Sequence, residues 1–213
     1  MKVTIEELLE RYPKLEAEKE NIVKAYEIMA ECYQNKGKLL VAGNGGSAAD
    51  AEHIVGELMK SFVEPRKLSC DFVDQLMTVD VEMGKELGDK LQETLPAIAL
   101  VGHVGLSTAY LNDVDPLLGF AQQLSGFGVA GDVLLAISTS GNSKNILYAC
   151  TVAKAKGMKI VGLTGGTGGK LKKIADVTIV APETETYKIQ EYHLPIYHWL
   201  CLRLEDKFFG KEN

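Results

Sequence analysis

Cysteine is scarce in this 213-residue sequence: Cys32, Cys70, Cys150 and Cys201 are far apart, with no paired spacing. That excludes a disulfide framework or zinc ribbon as the organising feature and fits reduced, mostly buried thiols in a cytoplasm. Positive charge is also in deficit. The 23 Lys and Arg against 29 Asp and Glu leave a formal charge of −6, and no Lys/Arg cluster of footprint size appears, which argues against a nucleic-acid surface. No run approaches the roughly 18 apolar residues of a membrane span. The start, Met-Lys-Val-Thr-Ile-Glu-Glu, has no apolar core of a signal peptide. Neither membrane insertion nor export is expected. No internal repeat or low-complexity segment is visible. Histidine is limited to four residues, and three of them, His53, His193 and His198, fall in the segments discussed below.

The most informative stretch is Lys38 to Glu57. Leu39 to Ala42 reads as a buried strand, and Asn44, Gly45, Gly46 and Ser47 form a small-residue loop that opens a helical pattern. A strand feeding such a loop at a helix N-terminus suits an anion, because the first backbone N–H groups have no partner within the helix. His53 and Glu57, at i and i+4, share a face of that helix, expected close to the loop. A phosphate cradle with a carboxylate and an imidazole beside it suits a sugar-phosphate enzyme. The plainer alternative is a surface pair after a tight glycine turn.

Further on, five apolar segments read as strands: 38–43, 97–102, 132–138, 159–164 and 177–181. Mostly helical patterns separate the first four, which implies parallel βαβ crossovers and an α/β, doubly wound sheet with ligands at the carboxyl ends of its strands. Residues 5–35 read as one long helix or two abutting ones, with a break near Pro13. One domain is expected over 1–213, with an N-terminal helical segment (1–36) and a helical addition over 61–96.

A second phosphate-loop candidate, Ser138-Thr139-Ser140-Gly141-Asn142-Ser143, follows the third strand and opens another helix. Hydroxyls, N–H groups and a helix dipole can hold a phosphate dianion without an arginine. The alternative is a solvated loop with an N-cap. The last helix, about 187–208, carries Gln190, Glu191, His193 and His198; Gln190 and His193 could equally be exposed, and His198 a satisfied core histidine.

Taken together, the Gly43–Ser47 loop, the Ser138–Ser143 loop and the Ile189-Gln-Glu-x-His193 helix resemble the sugar isomerase (SIS) domain of the phosphoheptose isomerases, which act on sedoheptulose 7-phosphate. The resemblance covers nearly the whole chain except 61–96. It implies a flavodoxin-like, five-stranded parallel sheet and an aldose–ketose isomerase working through an enediol. It also implies roles: Glu57 as the base and His198 as its acid/base partner; Asn44, Gly45, Gly46, Ser47, Asn112, Asp113, Ser138, Thr139, Ser140, Ser143 and Gln190 as substrate contacts; and His53, Glu57, Gln190 and His198 as ligands of Zn2+. A carboxylate over the C–H bond with a proton donor for the adjacent oxygen is what that chemistry needs, and a metal could polarise both oxygens.

Two departures from the family pattern stand out. About thirty-five residues, 61–95, stand where the family has a short link, and Phe72, Leu76, Met83, Leu87, Leu91 and Leu95 suggest extra helix, weakened at Gly84 and Gly88. Pro195 lies between Gln190 and His198 and is expected to bend or break the helix. In an unbroken helix eight residues span about 12 Å and rotate about 80°, so zinc ligation by both residues requires that bend or two leaning side chains. The partners expected are a sugar phosphate and further copies of the chain, a homotetramer, because the N-terminal helix carries enough apolar residues to need one. The rival readings are a non-catalytic SIS sugar-phosphate sensor, an initiator-binding regulator, and an isomerase of another sugar phosphate. The presence of both Glu57 and His198 favours an enzyme.

Overall fold

A computed structural model describes residues 4–210; the opening Met1-Lys2-Val3 lies outside the described residues. Five strands, β1 (Leu39–Ala42), β2 (Ala97–Ala99), β3 (Val133–Ile137), β4 (Lys159–Gly165) and β5 (Val177–Ala181), form one all-parallel sheet in the order β2-β1-β3-β4-β5. β1 and β3 are neighbours, with Leu39 opposite Val133 and Ala42 opposite Ala136. The chain leaves β1 and β3 in opposite directions across the sheet. The loops after these two strands therefore flank the switch point, where open α/β sheets bind ligands. They are the two glycine- and serine-rich loops of the sequence.

Alternation along the strands sorts the core into two layers. Leu39, Val41, Leu135 and Ile137 pack under α1 (Ile5–Arg11), α2 (Lys19–Gln34), α3 (Gly46–Met59) and α10 (Thr186–Phe209). Leu40, Ala42, Leu134 and Ala136 pack under α7 (Gly119–Phe127) and α8 (Lys144–Ala155), with Leu171 of the short α9 (Leu171–Ile174). Pro13 opens a 3-10 segment, Pro13–Glu18, that separates α1 from α2. Contrary to the expectation for the N-terminal helix, α2 leaves no apolar stripe in water: Ile22, Ala25, Met29, Cys32 and Tyr33 are buried on the chain's own core.

Pro195 does not break α10, which runs unbroken from Thr186 to Phe209. Proline in a helix interior costs about 3 kcal/mol. Burial of Ile189, Ile196, Tyr197, Leu200 and Leu204 along the same helix, at about 1.5–3 kcal/mol for a large apolar side chain, outweighs it.

The addition at 61–96 is a helical hairpin, α4 (Cys70–Val79) and α5 (Val81–Lys90). Its neck is closed by an antiparallel bridge between Lys67 and Gln92 and by the Glu93 N–H donating to the Arg66 carbonyl at 2.9 Å. Gly84 and Gly88 are contact points rather than weaknesses. A Cβ on Gly84 would lie 2.5 Å from the Met77 backbone nitrogen, and one on Gly88 2.8 Å from Val73 Cγ1. Only hydrogen at those positions lets the helices approach this closely. The hairpin's other face is open, with Phe72, Val79, Val81, Met83, Leu87 and Leu91 exposed.

Candidate active site

β1 ends in Gly43-Asn44-Gly45, and Gly45 turns the chain into α3 with φ 55° and ψ −120°, a conformation for which glycine is suited. The turn is fixed by Ser47 N–H to Asn44 O and Ala48 N–H to Gly45 O, both 3.0 Å. Gly46 has no room for a side chain: a Cβ would lie 2.4 Å from Gln190 Nε2. Gln190 on α10 thus rests directly on the first loop.

The second loop stands beside the first. Asn44 and Asn145 exchange amide hydrogen bonds at 3.0 and 2.8 Å, joining the loop after β1 to the first turn of α8. Ser138 Oγ and Ser143 Oγ are 3.0 Å apart. The Ser140 hydroxyl accepts the Asn142 N–H, and the Thr139 carbonyl accepts the Gly165 N–H. Asn44 and Gly45 line a cavity of about 290 Å3 with Asn145, Ser107, Leu111 and Phe120. Asn112 and Asp113 lie at the end of α6 (Val104–Asp113), next to Leu111, and bond to each other at 2.8 Å without lining that cavity. Asn145 was not among the residues expected from sequence, although its place two residues after Ser143 could have signalled it.

The titratable residues gather further along α3. His53 Nε2 is 3.3 Å from Glu57 Oε1, and Lys60 Nζ is 2.9 Å from Glu57 Oε2. From α10, the His198 ring meets the His53 ring edge-on with centroids 5.1 Å apart. Burial holds His198 below the usual histidine range, aided by its neighbours His53 and Arg11 and opposed by Glu57. A neutral imidazole can both give and take a proton. Its Nε2 is buried without a partner. Behind His53, its Nδ1 lies 3.0 Å from the Tyr197 hydroxyl, which donates to Asp50 Oδ1 at 3.4 Å. Burial raises the Asp50 carboxyl, against the pull of that hydrogen bond, and burial followed by Asp50 raises Tyr197. Sequence reading passed over Asp50 and Tyr197; Asp50, at i−3 from His53, shares its helix face.

Two expectations need correction. Glu57 is not close to the loop: it stands eleven positions beyond Gly46 on α3, about 16 Å along the axis. Because α10 is unbroken, Gln190 and His198 do not meet either. Gln190 contacts Gly46 at the loop, while His198 contacts His53 roughly 12 Å along the helix. The four-residue zinc set is consequently not assembled, and no group of three His, Cys, Asp or Glu side chains that could hold a metal ion is found among the described residues. His53 and Glu57 alone have the spacing of two ligands on one ion.

His193, at the centre of the C-terminal motif, is a core residue. It is fully buried, with Nε2 3.2 Å from the Thr164 carbonyl. Burial depresses its pKa to about 4, with that hydrogen bond opposing. As pH falls from about 6.5 to 4, the unfolded chain takes up a proton that the folded chain refuses, so stability declines. The expected loss by pH 4 is about 3 kcal/mol. Denaturant unfolding across that range checks this, and His193→Gln should flatten the slope by a similar amount.

The SIS domain family model matches residues 4–71 and 90–165, stepping over most of the α4–α5 hairpin. A phosphoheptose isomerase of Aneurinibacillus thermoaerophilus is 40% identical over 179 residues, covering 84% of this chain and 77% of that relative. The solved structure of a phosphoheptose isomerase from Francisella tularensis is 33% identical with a TM-score of 0.75, covering 92% of this chain and 91% of that one. Another from Neisseria gonorrhoeae is 35% identical with a TM-score of 0.68, covering 87% and 86%.

Proposed function

The chain belongs to the SIS domain family, and from that premise we propose that it isomerises sedoheptulose 7-phosphate to the corresponding heptose 7-phosphate, an aldose–ketose isomerase with Glu57 as base. The observation that carries the reading is the cluster of Glu57, His53, Lys60 and His198 in a fold that also presents two phosphate loops at its switch point. Glu57 takes the proton from C1 of the open-chain ketose and returns it to C2. In the same exchange the C1 hydroxyl loses a proton and the C2 oxygen gains one, and His198 carries it between them. His53 and Lys60 hold the two carboxylate oxygens of Glu57. The serine hydroxyls and N–H groups of the loops bind the phosphate. Turnover assays on a panel of ketose phosphates test the substrate, and preference for a pentose or hexose phosphate would replace the heptose.

The same reading includes a homotetramer. A seven-carbon chain with bonds near 1.5 Å reaches roughly 10 Å from C1 to its phosphate, less than the approximately 16 Å of α3 between Gly46 and Glu57. A loop on one copy facing Glu57 on another accommodates that difference. The exposed apolar residues of the hairpin and of α6 with its C-cap, including Val104, Leu111 and Val114, offer surface for the contact. Light scattering should give a mass near four times 23.2 kDa, and a monomer would contradict it.

Zinc is proposed on His53 and Glu57, with His198 beside His53 as a further donor; the donor types and the 3.3 Å pair support it, while Gln190 stands at the Gly46 loop, out of reach within one chain. The ion would supply polarisation of the carbonyl and hydroxyl oxygens. Metal analysis of protein purified without chelator should find about one zinc per chain, and protein that is fully active without metal would remove it. A cytoplasmic setting is also part of this reading, supported by four free cysteines of which Cys70 is exposed. No helix among the described residues is long and apolar enough to cross a membrane.

A further inference from the structure

We propose that Arg66 and Glu205 form a positioning clamp that sets Glu57 against His198. The inference rests on Glu57 being the base.

Arg66 lies in the segment between α3 and the hairpin, and Glu205 near the end of α10. Their side chains are 0% and 1% exposed and joined by Arg66 Nε to Glu205 Oε1 at 2.8 Å. The rest of the guanidinium is spent on the end of α3. Nη1 donates to the Leu58 carbonyl at 2.6 Å, and Nη2 to the carbonyl of Glu57 itself at 3.0 Å. A cation on the last carbonyls of a helix also meets its negative end. Glu205 takes the backbone N–H groups of Phe62, Val63 and Glu64 at 2.7, 2.8 and 3.1 Å. Burial would raise its carboxyl, but those three donors and Arg66 hold it below the usual carboxylate range. The Phe209 ring lies under the guanidinium, 4.7 Å away.

This arrangement is specific in what it fixes. Glu205 is seven residues beyond His198 on an unbroken helix, two turns along the same face. Arg66 holds the main chain of Glu57. The pair thus ties the base-bearing turn of α3 to the histidine-bearing face of α10. A buried ion pair is an inefficient way to gain stability, since apolar residues of similar volume often do as well. Its three donors on two carbonyls and a carboxylate give what an apolar contact lacks, a fixed offset between two helices.

Arg66→Lys tests this, because one ammonium cannot reproduce the planar fork. Well below its unfolding temperature, this variant should lose at least tenfold in kcat with KM for sedoheptulose 7-phosphate within about twofold, because the phosphate loops lie at the other end of α3. Amide exchange should accelerate at Phe62–Glu64 and in the last turn of α3 but not in β1 or β3. Glu205→Gln keeps the shape but puts an N–H donor where one of the two acceptor oxygens stood, so it loosens the same contacts and should show the same split, which covers the case in which Arg66→Lys fails to fold. Faster exchange with unchanged kcat per folded molecule would overturn the clamp's role. An inactive wild-type protein would instead overturn the isomerase reading, leaving the exchange data to report on the clamp alone.

Discussion

Glu57→Gln should lower isomerase turnover by about 10^3-fold while substrate affinity changes little, because the amide keeps the shape of the side chain and cannot accept the C1 proton. Lys60 keeps an acceptor in the amide oxygen and a neutral His53 Nε2 can accept from the amide N–H, so the loss should not come from collapse of the cluster. Equal unfolding midpoints for the two proteins would show this. Steady-state rates with isothermal titration of the substrate make the check. A variant that turns over normally would remove Glu57 as the base.

Glu205→Ala should be among the most destabilising single substitutions in the chain, by about 3–5 kcal/mol. It leaves the Arg66 guanidinium buried without its counter-ion and three backbone N–H groups, those of Phe62, Val63 and Glu64, without their acceptor. Replacing both partners by apolar residues should not restore stability here, unlike many buried pairs, because the backbone donors of 62–64 stay unsatisfied. Urea unfolding of Glu205→Ala and of an Arg66→Met/Glu205→Leu double variant makes the comparison. Near wild-type stability in the double variant would contradict this account.

Much of the fold was legible because local pattern and tertiary demand agree. Val177–Ala181 is a strand from end to end, and Pro13 interrupts the N-terminal helices as its missing N–H requires. The two loops were legible as loops because glycine and hydroxyl residues cluster there between a strand and a helix, where turns and caps favour them. The hairpin was visible as helix, but Gly84 and Gly88 read as defects, since only the facing α4 shows that they permit contact. Pro195 misled because helix propensity is weaker than burial along α10. The Arg66–Glu205 pair spans 139 positions, and no periodicity links residues so far apart. Distance along α3 was legible in principle: eleven residues at 1.5 Å each place Glu57 well away from Gly46, and helix-face reasoning alone hid it.

The central claim is that Glu57 moves a proton between C1 and C2 of a sugar phosphate. Incubating sedoheptulose 7-phosphate with the protein in D2O and following the C1 hydrogens by NMR tests it most directly. The account predicts that the wild-type protein forms the aldose and exchanges a C1 hydrogen with solvent, and that Glu57→Gln does neither at a measurable rate. Exchange at the wild-type rate in Glu57→Gln, or a wild-type protein that leaves the sugar unchanged, would contradict it.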